Sequence, residues 1–231
     1  MATNDKGSLG VLMLGDEDVS PPPPPDKLNY PAWFAYPVIE RKVPGAFSRE
    51  VVGGNRDLAG VFAETAKELE KDGAKAITVD CGFSIIYQQA IADAVSIPVV
   101  TSSLLQLPFV SKMVPAGGRL GLMIFDTTKL TPYHFECAGF EEGSVPLGIV
   151  GIEGTKTWQH WYIEDPTTTF YDDVEKVTME AARKLIKDYP DVTHIVMECS
   201  GFPRCAPQIR QETGRPVFDW VTLCNYAMGA V

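Results

Sequence analysis

Two short segments of this chain, about half its length apart, share the same pattern of residues, and this repeat constrains the fold more than any other feature. Residues 77–83 read ITVDCGF and residues 195–202 read IVMECSGF. Each is an apolar run followed by an acid, a cysteine, one or two small residues and a phenylalanine. Because the chain has only five cysteines in 231 residues, the match predicts two equivalent strand ends that each present one thiol.

A second pair of segments supports this interpretation. Residues 9–14 (LGVLML) and 120–125 (LGLMIF) are separated by 111 positions, and the two cysteines by 118 (199 minus 81). Buried strands can converge on such compositions by chance. Two matches in the same order at nearly the same offset nevertheless favour a duplicated architecture.

Strand and helix patterns alternate along the whole chain. Apolar runs typical of buried strands occupy residues 9–14, 34–43, 75–80, 98–101, 120–125, 147–152, 193–198 and 215–219. Helical patterns occupy residues 55–72, 104–114, 131–139, 167–188 and 203–214, a stretch that begins near residue 84, and the end of the chain from residue 221. This alternation predicts parallel sheets with helices on both faces.

Cys81 and Cys199 both fall at the carboxyl end of a predicted strand, where open parallel sheets bind their ligands. A thiol at the start of the following helix is expected to have a lowered pKa. Backbone N–H groups in the same turn can bind a carboxylate or an enolate oxygen, and Gly82 and Gly201 would let the backbone approach that ligand. A lone cysteine here would more often be inert packing, but the matched pair favours a functional interpretation.

Charge and cysteine usage exclude several classes of protein. A net charge of −10 and a pI near 4.8 oppose a nucleic-acid surface. The sequence contains neither an apolar run of the roughly 18 to 20 residues that span a bilayer nor a signal pattern, so we expect no membrane partner and a cytoplasmic location. An odd number of cysteines disfavours a disulfide framework. A zinc site from Cys199, Cys205 and Cys224 is disfavoured because there is no CxxC pair and the histidines are scattered, although a redox or metal protein stays open as an alternative.

The chain resembles the aspartate/glutamate racemase superfamily in the order and spacing of five segments. These are residues 9–14, 80–83, 119–125, 198–203 and 213–217. The resemblance implies an α/β fold of two pseudo-symmetric lobes, each a parallel sheet flanked by helices, with the active site in the cleft between them. Residues 1–115 and 215–231 would form the lobe with Cys81, and residues 116–214 the lobe with Cys199.

The resemblance also implies a reaction. One cysteine, as thiolate, takes a proton from a carbon next to a carboxylate or carbonyl, and the other returns a proton to the opposite face, while N–H donors hold the enolate. No cofactor or metal is expected, and no dinucleotide or P-loop motif occurs. We therefore predict a cofactor-independent racemase or epimerase of a small carboxylate or carbonyl substrate, with homo-oligomerisation left open.

Departures from the family pattern bear on the substrate. Amino-acid racemases of this group follow their cysteines with Asn-Thr and Thr-His, whereas this chain has Gly82-Phe83 and Ser200-Gly201. The difference favours a less charged substrate such as a hydantoin. An enzyme resembling maleate isomerase or arylmalonate decarboxylase, or a ligand-binding member without turnover, stays open; Cys81 disfavours the decarboxylase, which keeps only the second cysteine.

Further residues complete the expected site. Gly82, Phe83, Ser200 and Gly201 would contact substrate around the thiols, Asp126 and Thr127 end the strand that echoes the first, and Asn29 is carried over from the family. Asn29 follows a proline run (residues 21–25) that could form a lid or a surface insertion.

Two groups of residues near the expected site have a structural interpretation. Because side chains alternate along a strand, Asp80 and Glu198 are expected to be structural, with tuning of the thiols as the alternative. An aromatic patch is expected to pack or form an interface rather than rim the cleft. It comprises Trp158, His160, Trp161 and Tyr162.

Overall fold

The computed structural model of the chain describes residues 7–15, 33–163 and 171–231. Asn29 and the proline run lie outside the described residues, so their expected roles stay predictions.

The described residues form two four-stranded parallel sheets flanked by helices, which confirms the predicted α/β class. The first sheet has the order β2-β1-β3-β4 and the second the order β6-β5-β7-β8. The first-sheet strands are β1 (Ser8–Met13), β2 (Val38–Lys42), β3 (Ala74–Val79) and β4 (Val99–Val100); the second-sheet strands are β5 (Arg119–Ile124), β6 (Leu147–Gly151), β7 (Val192–Met197) and β8 (Val217–Phe218).

The two sheets match each other in register as well as in order. Gly10 of β1 pairs with Ile77 of β3, and Gly121 of β5 pairs with Ile195 of β7. Both pairings also contain a register shift at the equivalent point, between residues 8 and 9 of β1 and between residues 119 and 120 of β5. The residues that repeat in sequence therefore occupy equivalent positions in the two sheets.

Helices and short 3₁₀ turns connect the strands. The α-helices are α1 (Ser48–Val52), α2 (Ala59–Lys71), α3 (Gln88–Ala92), α4 (Leu107–Ser111), α5 (Pro132–Cys137), α6 (Lys156–Ile163), α7 (Tyr171–Asp188), α8 (Ala206–Thr213) and α9 (Trp220–Met228). The 3₁₀ turns are Arg56–Leu58, Gly82–Tyr87, Ser103–Gln106 and Pro203–Cys205. None of the predicted helical patterns covered α1 or α6.

Each half of the chain sends one helix to cover the other half's sheet. Leu107 and Val110 of α4 belong to the same apolar cluster as Leu122 of β5. In the reverse direction, Trp220 and Cys224 of α9 share a cluster with β1. The Trp220 indole N–H also donates to the Thr78 hydroxyl at 2.8 Å. This reciprocal exchange joins the halves.

The exchange differs from the expected lobe boundaries. We expected both the last strand and the last helix to return to the first lobe, but β8 pairs with β7 in the second sheet, and only α9 crosses. We also expected residues 104–114 to stay with the first lobe, and α4 crosses instead. A strand pattern shows that a segment is extended and does not show which strand it pairs with.

Within the described part of the chain, no helix combines the length and the apolar composition that a bilayer span requires.

Candidate active site

The two cysteines occupy equivalent positions just beyond β3 and β7. Cys81 caps the 3₁₀ turn Gly82–Tyr87, and its carbonyl accepts the N–H of Ser84 at 3.0 Å. The carbonyl of Cys199 accepts the N–H of Phe202 at 3.1 Å. Both cysteines are half-buried and carry free thiols, as the repeat predicts.

The acids before the cysteines tie the strand ends to the central strands. A carboxylate oxygen of Asp80 accepts the N–H of Leu14, just after β1, at 2.9 Å. Glu198 accepts the N–H of Phe125, just after β5, at 3.1 Å. The expected structural role is thus confirmed, and the equivalence of the halves extends to these two hydrogen bonds.

The two cysteine segments also contact each other. Ser200 is 4% exposed. Its hydroxyl donates a hydrogen bond to the backbone carbonyl of Asp80. Gly82 lies so close to the other segment that an added Cβ would sit 2.2 Å from Oε1 of Glu198. A Cβ at Gly201 would sit 2.4 Å from the Trp161 ring. Both glycines are therefore required by packing within the protein, a reason that the sequence alone did not indicate.

The pKa values of both thiols are raised well above their ordinary value. Burial is the largest cause, followed by the negative charge of Glu198; Asp80 adds to the effect at both thiols. The backbone N–H of Phe83 opposes the shift at Cys81, and that of Gly201 opposes it at Cys199.

The expected lowering of the thiol pKa is therefore wrong for this structure. The elements after the cysteines are short 3₁₀ turns, which carry little of the macrodipole of a full helix. Desolvation and two adjacent carboxyl groups outweigh that dipole.

The two carboxyl groups are themselves poor acids. Burial raises the pKa of Asp80 to about 7, and burial with the charge of Asp126 raises that of Glu198 to about 8. Glu198 is 1% exposed, and its Oε1 has no hydrogen-bond partner among the described residues. Both carboxyl groups therefore gain or lose a proton near neutral pH, and they do so beside the thiols. The alternative role, in which these acids adjust the pKa of the thiols, also has physical support.

Asp126 and Thr127 use their polar groups within the second half. Asp126, 1% exposed, accepts the indole N–H of Trp158 at 3.0 Å and the N–H of Thr128 at 2.9 Å. The Thr127 hydroxyl donates to Glu153 at 2.5 Å. Their expected contacts with substrate stay predictions.

Phe83 does not line an open space beside Cys81. Phe83 is 1% exposed, and its ring packs edge to face against the ring of His134, with centroids 5.2 Å apart. A direct contact between Phe83 and substrate stays a prediction, and the structure assigns the ring a packing role.

The aromatic patch lies beside the turn that follows Cys199. Phe125 stacks against Trp158 and Trp161, with centroids 6.4 and 6.1 Å apart, and Trp158 stacks on Tyr162 at 5.1 Å. The ring contacts confirm the expected packing, but the contact of Trp161 with Gly201 also places this cluster beside the site, which was not expected. The spacing of residues 158, 161 and 162 is helical and could have identified α6.

The remaining cysteines do not join the site. Cys205 and Cys224 are buried, and burial raises the pKa of Cys205 to about 11 and that of Cys224 to about 12. Within the described ranges, no three His, Cys, Asp or Glu side chains are grouped so that they could hold a metal ion.

The protein has two matched parallel sheets, and equivalent strand ends of the two sheets each present one thiol. This arrangement defines a class of enzyme fold. Residues 43–224 match the family described as Asp/Glu/hydantoin racemase. The chain belongs to this family, and the resemblance seen in the sequence is confirmed.

Among curated proteins, the chain is 30% identical over 228 residues to a dimethylsulfoniopropionate lyase of Durusdinium sp. clade D, covering 95% of this chain and 73% of the relative. Among solved structures, a single-site mutant of arylmalonate decarboxylase superposes with a TM-score of 0.62 at 13% identity, covering 96% of this chain and 92% of that one. Allantoin racemase from Pseudomonas fluorescens superposes with a TM-score of 0.58 at 17% identity, covering 96% and 89%.

Proposed function

We propose that this protein is a carbon-acid lyase that uses its strand-end cysteines to eliminate dimethyl sulfide from dimethylsulfoniopropionate. The reaction class follows the relative from Durusdinium sp. clade D, which matches over nearly the whole chain. The observation that carries the proposal is the concentration of acidic groups at the site. Two thiols, the buried Glu198 carboxyl and the half-buried Asp80 carboxyl meet there, and a cationic substrate would relieve their mutual repulsion.

The elimination and the racemisation expected from the sequence share their first step. A thiolate removes a proton from the carbon next to the carboxylate, and the sulfur of the base keeps that proton. In the lyase, the C–H electron pair forms a double bond to the next carbon. The carbon–sulfur bond then breaks with its electrons passing to sulfur, which leaves acrylate and neutral dimethyl sulfide.

Because the thiol pKa values are raised, little of either cysteine is present as the thiolate base until substrate arrives. A sulfonium cation bound beside the thiols would lower their pKa by charge attraction. The base would thus be activated mainly in the occupied site. The N–H groups of Phe83 and Gly201, which already face the thiols, would further stabilise the thiolate.

The aromatic cluster supplies a second feature that suits a cation. Aromatic ring faces attract cationic ligands by about 0.5 to 2 kcal/mol. Trp161 contacts the Cys199 turn at Gly201 and stacks on Phe125, so this wall lies within reach of the reacting group. The chemistry needs only proton transfer and departure of a neutral sulfide, so we propose that it uses no organic cofactor.

A product assay tests the proposal. The purified protein should release dimethyl sulfide, measured by gas chromatography, and acrylate, measured by proton NMR, in equal amounts from dimethylsulfoniopropionate. Release of neither product at millimolar substrate would contradict the assignment as a lyase.

Racemisation is the second candidate function, because the matched pair of thiols at equivalent strand ends suits proton transfer at both faces of one carbon. Incubation of hydantoins or amino acids in deuterated water tests it. Incorporation of deuterium with loss of chirality, without elimination, would favour a racemase.

A further inference from the structure

A pocket lies between the two halves of the chain, and neither Cys81 nor Cys199 lines it. It has a volume of about 260 Å³. One wall comes from the end of α1 and the turn after it, and the other from the loop before α5 and its first turn. Its lining consists of Val52, Gly53, Gly54, Arg56, Ile86, Thr128, Lys129, Thr131, Tyr133 and His134. Neither cysteine and neither strand-end acid lines it.

The lining is basic, although the chain is acidic. Arg56 and Lys129 contribute cationic side chains, and no Asp or Glu is among the lining residues, in a chain of net charge −10. The Arg56 guanidinium carbon lies 3.7 Å from the centroid of the Tyr133 ring, an arrangement that orients the cation and joins the two walls.

His134 adds a buried ring nitrogen that makes no hydrogen bond to the described residues. Its Nδ1 lies 3.1 Å from the backbone nitrogen of Thr131 and 2.8 Å from the Thr131 hydroxyl oxygen. His134 is 3% exposed, and Nε2 has no partner among the described residues. Burial and the charge of Arg56 lower the pKa of His134, which keeps the ring neutral. A buried polar atom without a partner is costly, and His134 holds one beside this wall of the pocket.

We propose that the pocket binds a small anion carrying a carboxylate or phosphate group, with Arg56 and Lys129 neutralising its charge. The ligand would bridge residues 52–56 of the first half and 128–134 of the second. Because His134 contacts Phe83, two residues from Cys81, the anion would also stabilise the packing behind one thiol. The proposed anion site is independent of which reaction the thiols perform.

Binding is tested with inorganic phosphate and with glutarate, a dicarboxylate, by calorimetry on the full chain at constant ionic strength. We expect saturable 1:1 binding of at least one probe, and the probe that binds identifies the anion group. Arg56→Gln and Lys129→Gln should each weaken binding about tenfold, the loss expected for a charge-assisted hydrogen bond.

Three controls separate this site from other effects. Lys112→Gln removes the same charge at an exposed position outside the pocket and should bind as wild type. Cys81→Ser/Cys199→Ser should also keep the affinity, because neither residue lines the pocket. Melting curves without ligand check that each variant is folded.

The proposal is overturned if neither probe binds saturably, if folded Arg56→Gln and Lys129→Gln bind as wild type, or if Lys112→Gln is as impaired as they are. Loss of binding in the double cysteine variant would move the anion to the thiol site and overturn it as well.

Discussion

The side-chain hydroxyl of Ser200 donates a hydrogen bond to the backbone carbonyl of Asp80, so the segment with Cys199 is bound directly to the segment with Cys81. Close packing of Gly82 on Glu198 reinforces this contact. The separation of the two thiols is therefore set by the mutual packing of two strand ends, each of which is tied to its own central strand by an acid.

Gly82→Ala tests this packing. The added Cβ would meet the Glu198 carboxyl at 2.2 Å and its carbonyl oxygen at 2.4 Å, so we expect a loss of about 1 to 3 kcal/mol in the free energy of unfolding, measured by urea denaturation. Gly60→Ala is the matched control. Gly60 is exposed in α2 with nothing within 4 Å of an added Cβ, and alanine there should be stabilising by about 0.5 to 1 kcal/mol. Equal stability of the two variants would contradict the account.

Alkylation with iodoacetamide reports the state of the two thiols. Because burial and the charge of Glu198 raise their pKa, we expect Cys81 and Cys199 to react more slowly than free cysteine at pH 8 and to accelerate at higher pH. Glu198→Gln keeps the shape and removes the charge, so both thiols should react faster at a given alkaline pH. Peptide mass spectrometry assigns the sites, and unchanged rates in Glu198→Gln would show that its charge does not reach the thiols.

The buried acids give the fold a defined dependence on pH. The pKa of Glu198 rises from 4.5 to about 8 on folding and that of Asp80 from 3.8 to about 7. The folded state therefore retains protons that the unfolded chain releases. The free energy of unfolding should then fall as pH rises from about 4 through 8, where these groups ionise. In Glu198→Gln the decline should be smaller, and an equally steep decline would exclude Glu198 as its source.

Much of the fold could be predicted because it depends on local patterns. The apolar runs identified the strands of both sheets, and the repeat placed Cys81 and Cys199 at equivalent ends. The reciprocal crossing of α4 and α9 could not be predicted, because the sequence of a helix does not show which sheet its apolar face packs against.

The properties of the site were harder to predict than its members. The raised thiol pKa arises from burial and from Glu198, whose distance from Cys81 is set by contact between the two halves. The pocket likewise depends on Arg56 meeting Tyr133, 77 positions away in the sequence. Such contacts leave no periodic signal in the chain.

Proton transfer by the paired thiols is tested by assaying single-cysteine variants for dimethyl sulfide and acrylate. We expect at least one of Cys81→Ser and Cys199→Ser to lower kcat by about 10²- to 10⁴-fold, the range for a lost general base. Cys137→Ser, a half-buried cysteine outside the site, should retain activity. Elimination at the wild-type rate in both Cys81→Ser and Cys199→Ser would contradict the account.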